Sequence, residues 1–114
     1  MGRQLLKTLS LLGCCVGLIG SAQAQTQTPR FDLAAIEKGR EQYQRTCAQC
    51  HGRNMINSGT TVYDLRRFPV DQPERFIQSV TQGKGNMPSF KDALDSAAVA
   101  DLWAYVGSRG GKEP

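Results

Sequence analysis

Histidine occurs once in this chain of 114 residues, at His51, and cysteine occurs four times, at Cys14, Cys15, Cys47 and Cys50. A centre that draws two imidazoles from one chain is therefore excluded. A structural zinc site needs four ligands, normally from two separated pairs. Cys47, Cys50 and His51 fall together in CAQCH, and no cysteine or histidine follows them to complete a second pair. Cys50 and His51 are also adjacent, which is awkward for gripping one ion. Charge of one sign is scarce too: 14 basic against 10 acidic residues give a formal +4. A nucleic-acid binder would show a strong basic excess or stripe. No apolar run reaches the roughly 20 residues that span a bilayer. Strand-like alternation of useful length and internal repeats are both missing, and the length suffices for one small domain.

What is present begins with an export pattern. Arg3 and Lys7 form a basic start, Leu9–Ile19 is an uncharged apolar run, and Ala22-Gln23-Ala24 fits a small-x-small cleavage site. Residues 1–24 read as a secretory signal peptide, with residues 25–114 as the mature chain. A retained membrane anchor is the alternative that the short run opposes. Lipoprotein anchoring at Cys14 is another, because Leu11-Leu12-Gly13-Cys14 loosely fits a lipid-attachment box. Against it, the apolar run continues past Cys14 through Val16, Leu18 and Ile19. Cleavage leaves Cys47 and Cys50 as the only cysteines and lowers the net charge to +2, with 12 basic and 10 acidic residues. The expected location is the periplasm, with no stable membrane insertion after cleavage.

In the mature chain, 25–31 is a polar lead-in and 32–111 carries the domain. Ile36, Gly39, Tyr43 and Cys47 recur at helical steps, predicting a helix over Leu33–Thr46 capped by Asp32. Residues 52–70 read as a long loop with a brief turn near Tyr63–Arg66, of the kind that wraps around something. Asp71-Gln72-Pro73-Glu74 has the capping-box pattern, opening a helix of about ten residues that stops at Gly83. Residues 83–90 form a second loop. Asp95 or Ser96 caps a last helix to about Ser108, with Val99, Leu102, Trp103 and Val106 on one face. Three short helices and two long loops bury little apolar area, and domains of this size often need a staple. A disulfide between Cys47 and Cys50 would close only a tiny loop and constrain little.

Thiol–disulfide exchange would set Cys-x-x-Cys in a βαβ frame, which this pattern lacks. Cys-x-x-Cys-His is instead the attachment pattern of a c-type haem. Cys47 and Cys50, three apart, can form thioethers to the two vinyl groups of one haem, and His51 falls beneath the ring as an iron ligand. Gly52 leaves room for backbone close to the ring. Attachment after export fits the leader. The opposite face needs a ligand or stays open. Met55 lies four residues after His51 and is tethered to the same side, so packing is its better role. Met87 lies 36 residues on, in GKGNMPSF and directly before Pro88, well placed to cross the far side. A His/Met pair raises the reduction potential and saturates the iron, which suits electron transfer. The alternative is an open-site haem protein, a gas sensor or peroxidase, with Met87 as an ordinary core filler.

On these residues the chain resembles the class I c-type cytochromes over essentially its whole mature length. CAQCHG resembles their haem motif and NMPSF their distal loop, which implies Cys47 and Cys50 as thioether residues and His51 and Met87 as metal ligands. Gly39 and Tyr43 match the first helix of that family, and Leu102 and Tyr105 the last helix that crosses it. The resemblance implies an all-α small cytochrome c fold around one haem c and a non-enzymatic, monomeric electron carrier. One departure stands out. Many members have a proline soon after the motif whose carbonyl supports the proximal imidazole, and here none occurs before Pro69. A carbonyl in Arg53–Thr61 is expected instead. More narrowly, the stretch from Val62 to Leu94 and DLWAYVGSRG look like small periplasmic cytochromes that serve quinoprotein alcohol dehydrogenases. That implies a periplasmic dehydrogenase as donor and an oxidase or another cytochrome as acceptor, or a dedicated subunit of a dehydrogenase complex. Arg66 and Arg67 are candidates for the haem propionates through charge-assisted bonds, or are solvated loop residues. Lys84 and Lys91 rim the Met87 loop, as a docking edge or as generic surface. Two propionates would cancel the +2, so steering by net charge should be weak. Trp103 is expected to pack rather than to relay electrons.

Overall fold

Asp32 opens the first helix by accepting a hydrogen bond from the Ala34 N–H at 3.0 Å, which satisfies one of the free donors of a first helical turn. The computed structural model describes residues 31–57 and 59–113. The expected leader, including Cys14 and Cys15, and the lead-in up to residue 30 lie outside these residues. Four α-helices follow in chain order: α1 (Leu33–Thr46), α2 (Ala48–His51), α3 (Pro73–Gln82) and α4 (Ser96–Gly107). Short 3-10 turns occupy Arg53–Met55 and Leu65–Arg67. Among the described residues the only strand-like feature is an isolated bridge between Lys84 and Met87. No helix among them is long and apolar enough to cross a membrane.

α1 and α4 form the backbone of the fold. Ile36, Gly39 and Tyr43 make the buried stripe of α1, while α4 buries Val99, Leu102, Ala104, Tyr105, Val106 and Gly107. Asp95, not Ser96, caps α4, through the Ala98 N–H at 2.8 Å. The two helices cross at Gly39, where the Asp101 carbonyl lies against the Cα. Beside that point the Tyr43 and Tyr105 rings tilt together, 5.2 Å between centroids. α3 lays Phe76 and Val80 on the core. Trp103 sits among Phe31, Phe68 and Phe76 at 5.2–6.1 Å, the packing role expected of it.

Two local expectations need correction. The capping box at the start of α3 does not form: the N-cap is Gln72 and makes no side-chain cap bond. Its Oε1 accepts instead from Arg75 Nη1 at 3.0 Å, so the first turn is tied by a side-chain pair rather than by Asp71 and Glu74. The brief turn in the long loop lies at Leu65–Arg67 rather than at Tyr63–Arg66, because Asp64 caps it by accepting from the Arg66 N–H at 3.1 Å.

Tyr43 links this frame to the motif, donating its hydroxyl to the Gly52 carbonyl at 2.8 Å. Burial raises the pKa of that phenol, so the hydroxyl keeps its proton at any physiological pH. Tyr43→Phe should cost about 1 kcal/mol, the net worth of one such bond, because the carbonyl keeps a second partner in the Met55 N–H at 3.1 Å. Denaturant unfolding of the two proteins measures this directly.

Candidate functional site

The motif is itself a helical turn. α1 ends at Thr46, and Cys47 serves as both the C-cap of α1 and the N-cap of α2. The Cys47 N–H closes α1 on Tyr43, and its carbonyl accepts from both Cys50 and His51, at 3.2 and 2.9 Å. The sequence pattern assigns no element to Ala48–His51 itself, only a helix before the motif and a loop over residues 52–70 after it. The chain restarts there as a helix, because this one carbonyl nucleates a new turn. Positions i, i+3 and i+4 share a helix face, so Cys47, Cys50 and His51 are brought to one side of α2. Gly52 then ends the turn at φ 82° and ψ 149°, and a Cβ there would come within 1.9 Å of the Ile56 carbonyl. In this structure its lack of a side chain serves that reversal of the chain.

Both cysteines are free, Cys47 half-buried and Cys50 exposed. Burial pushes the Cys47 thiol up to about 11, and the neighbouring Cys50 adds to the shift. Reactive Cys-x-x-Cys pairs need the opposite, a thiol lowered toward neutrality. Burial of Cys47 thus works against the thiolate that disulfide exchange uses, and no strand frames the motif among the described residues.

His51 carries the most informative contact. Its Nδ1 lies 3.1 Å from the Tyr63 carbonyl oxygen. A carbonyl can only accept, so Nδ1 holds the proton and the Nε2 lone pair is left for a metal. The supporting carbonyl was expected within Arg53–Thr61, and it lies two residues beyond. The physical reason is the route of the loop. Asn54 and Met55 both take left-handed φ, 54° and 63°, which turns Met55 inward. Asn57 then ties the chain back to α2, donating to the His51 carbonyl at 2.9 Å while its Oδ1 accepts from the Gly59 N–H at 2.7 Å. Only after this excursion does the backbone return alongside the imidazole.

The two methionines occupy different settings. Met55 is 2% exposed and joins the core, its methyl end near Gly110 and Tyr105. Met87 sits half-buried in the loop after α3, against the same core that Cys47 touches. That loop is braced: Lys84 and Met87 exchange backbone bonds at 3.1 and 3.0 Å, and the Phe90 N–H returns to the Val80 carbonyl at 2.9 Å. Cys47, Cys50 and His51 are thus assembled on one turn, and Met87 is presented by a separate, fixed loop.

Beside Tyr63 an open cleft of about 370 Å³ is lined by Asn57, Gly59, Tyr63, Asp64, Arg66 and Arg67. Arg66 is already engaged there, its Nε and Nη2 each 2.8 Å from an Asp64 oxygen. This pairing with Arg66 holds the Asp64 carboxyl below its ordinary range. An anion in the cleft would share Arg66 with Asp64, whereas Arg67 makes no ion pair among the described residues.

The donor set fits a covalent haem better than a bare ion. Two free thiols and an imidazole with Nε2 available share one face of a single turn. Among the described residues no group of three or more His, Cys, Asp or Glu is placed to hold an ion by itself. Sequence reasoning missed Asn57 and the Tyr63 carbonyl; the latter is a backbone atom with no residue signature.

Comparison with known proteins agrees with this geometry. The family model described as "Cytochrome C oxidase, cbb3-type, subunit III" matches residues 34–106. The cbb3-type cytochrome c oxidase subunit CcoP of Azospirillum brasilense is 33% identical over 89 residues, covering 70% of this chain and 30% of that protein. A cytochrome c6-like protein of Nostoc sp. is 33% identical over 85 residues, covering 71% of this chain and 77% of the relative. The solved structure of quinohemoprotein alcohol dehydrogenase ADHIIG from Pseudomonas putida HK5 superimposes with a TM-score of 0.62 at 30% identity. It covers 75% of this chain and 13% of that one. The chain thus spans under a third of CcoP and a small part of the dehydrogenase, but most of the c6-like protein.

Proposed function

Since this chain belongs to the class I c-type cytochromes, all-α electron carriers rather than enzymes, we propose that it holds one haem c and shuttles single electrons between periplasmic redox partners. Cys47 and Cys50 would form the thioethers, and His51 Nε2 and the Met87 sulfur would hold the iron. The observation that carries this reading is the His51–Tyr63 contact, which fixes the tautomer a proximal ligand needs, on the turn that bears both thiols. When bound, the haem supplies a one-electron Fe(III)/Fe(II) couple. The chain's own part is to hold both ligands fixed, so that little rearranges when the charge changes, and to keep a packed core against the site.

Two of the relatives support a choice of partners. One related domain belongs to a quinohemoprotein alcohol dehydrogenase and another to a subunit of a cbb3-type oxidase. A small carrier of the same kind suits the gap between them, taking electrons from a quinoprotein alcohol dehydrogenase and passing them toward a terminal oxidase. Purified ferric protein should be reduced by such a dehydrogenase with its alcohol, to one electron per chain. The ferrous form should keep its spectrum under carbon monoxide at neutral pH. Ready formation of a carbon monoxide adduct would overturn the carrier reading in favour of an open-site haem protein.

A further inference from the structure

Arg109 has no part in the reading so far, yet its position is unusual. Two residues beyond α4 it takes φ 54°, a left-handed conformation that side-chain-bearing residues keep only where their surroundings hold them. Its side chain is only 17% exposed. The guanidinium reaches across to the long loop, donating from Nη2 to the Phe68 carbonyl at 2.6 Å and from Nη1 to the Leu65 carbonyl at 3.5 Å. Nη1 is shared with the Val106 carbonyl at 3.4 Å, on α4 itself. One planar fork therefore ties both ends of the Leu65–Arg67 turn to the end of the central helix. Arginine suits this task because its donors are fixed in one plane.

That turn is the segment that carries Tyr63. The Tyr63 hydroxyl donates to the Arg67 carbonyl at 3.2 Å, and the Arg67 N–H bonds the Asp64 carbonyl at 3.0 Å. The Tyr63 ring packs edge-on against Phe68, 6.1 Å between centroids. Tyr63 itself is 49% exposed, so burial alone does little to place its carbonyl. Arg109 thus holds the Leu65 and Phe68 carbonyls of a short turn whose covalent chain includes Arg67, the acceptor of the Tyr63 hydroxyl, and the Tyr63 carbonyl in turn meets His51 Nδ1.

We propose that Arg109 is a positioning residue that sets the reduction potential, by holding the Leu65–Phe68 turn so that the Tyr63 carbonyl stays on the His51 Nδ1–H. The inference rests on His51 being the proximal ligand. A firm carbonyl partner draws the Nδ1 proton, makes the imidazole more basic and favours the ferric state. A slack partner does the reverse, so loosening the turn raises the potential.

The test uses the holoprotein with Arg109→Gln and Arg109→Lys, the latter keeping the charge but not the planar fork. Arg109→Gln should move the ferric–ferrous equilibrium toward ferrous by up to about tenfold, ~59 mV for one electron. The His51 Nδ1–H, followed by NMR in the diamagnetic ferrous protein, should exchange with solvent faster by roughly tenfold, the scale set by weakening one hydrogen bond. Arg109→Lys should fall between wild type and Arg109→Gln on both readouts. Variants that melt earlier but keep the wild-type potential and exchange rate would overturn the proposal and leave Arg109 a structural clamp. If Arg109→Gln does not fold, Arg109→Lys decides alone, and a wild-type potential in it overturns the proposal. Failure of the ligand assignment is distinguishable, because the wild-type protein would then lack a low-spin, histidine-ligated spectrum before any variant is made.

Discussion

Gly39→Ala should leave little folded haem protein to recover, and what is recovered should melt on the order of 15 °C below wild type. In an exposed helix this substitution gains about 1 kcal/mol, because glycine is the poorer helix former. Here the added Cβ would lie 1.9 Å from the Asp101 carbonyl oxygen, 2.6 Å from its carbon and 2.9 Å from the Tyr105 Cβ. Two of the three obstructing atoms are backbone and cannot rotate away. The α1–α4 crossing has to open, and the Tyr43–Tyr105 contact, worth about 1 kcal/mol beyond its buried area, opens with it. Overpacking against side chains typically costs about 1–3 kcal/mol, occasionally more, and backbone is less forgiving. The net is a loss of about 3 kcal/mol, which for a domain of under 100 residues is the shift stated, at roughly 4–8 °C per kcal/mol. Thermal unfolding followed at the haem absorbance measures it. A variant as stable as wild type would show that the helices do not cross at this glycine.

That crossing was readable through the resemblance to the class I c-type cytochromes, whose first and last helices Gly39, Tyr43, Leu102 and Tyr105 match. The helices themselves were readable from period, with Asp32 as one cap and Asp95 or Ser96 as the other. The same holds for Cys47, Cys50 and His51, whose spacing is the chemistry. Legibility failed where the deciding atoms are backbone or where one side chain has two uses. α2 exists because the Cys47 carbonyl accepts two bonds, which no pattern in Ala48-Gln49 announces. The α3 cap failed because Gln72 gives its side chain to Arg75. Tyr63 supports His51 through a carbonyl that any residue would offer, so only the path of the loop could reveal it. Arg109 reads as a C-terminal helix arginine followed by glycines, and its reach across 41 residues to Phe68 depends on a left-handed turn of its own backbone.

The division of labour between the two methionines gives the other large effect. Met87→Ala should abolish the axial methionine signature in the reduced-minus-oxidised spectrum and let the ferrous protein bind carbon monoxide. It should also lower the potential by on the order of 0.1 V, within the ≈ 0.8 V that axial ligands span. The sign follows because methionine opposite histidine raises the potential. The loop should survive the loss, because its bracing is backbone: the Lys84–Met87 pair and the Phe90–Val80 bond do not use the side chain. Removing a half-buried methionine should therefore cost only about 1–2 kcal/mol, below the range for fully buried sites. Met55→Leu is the matching control. Met55 is 2% exposed in the core near Tyr105 and Gly110, and a volume-conserving exchange there should cost under about 1.5 kcal/mol and leave the spectrum unchanged. A Met87→Ala protein that keeps the axial signature, while Met55→Leu loses it, would reverse the assignment. It would place the sixth ligand four residues from His51, on a side chain that is buried in the core with its methyl end near Gly110 and Tyr105.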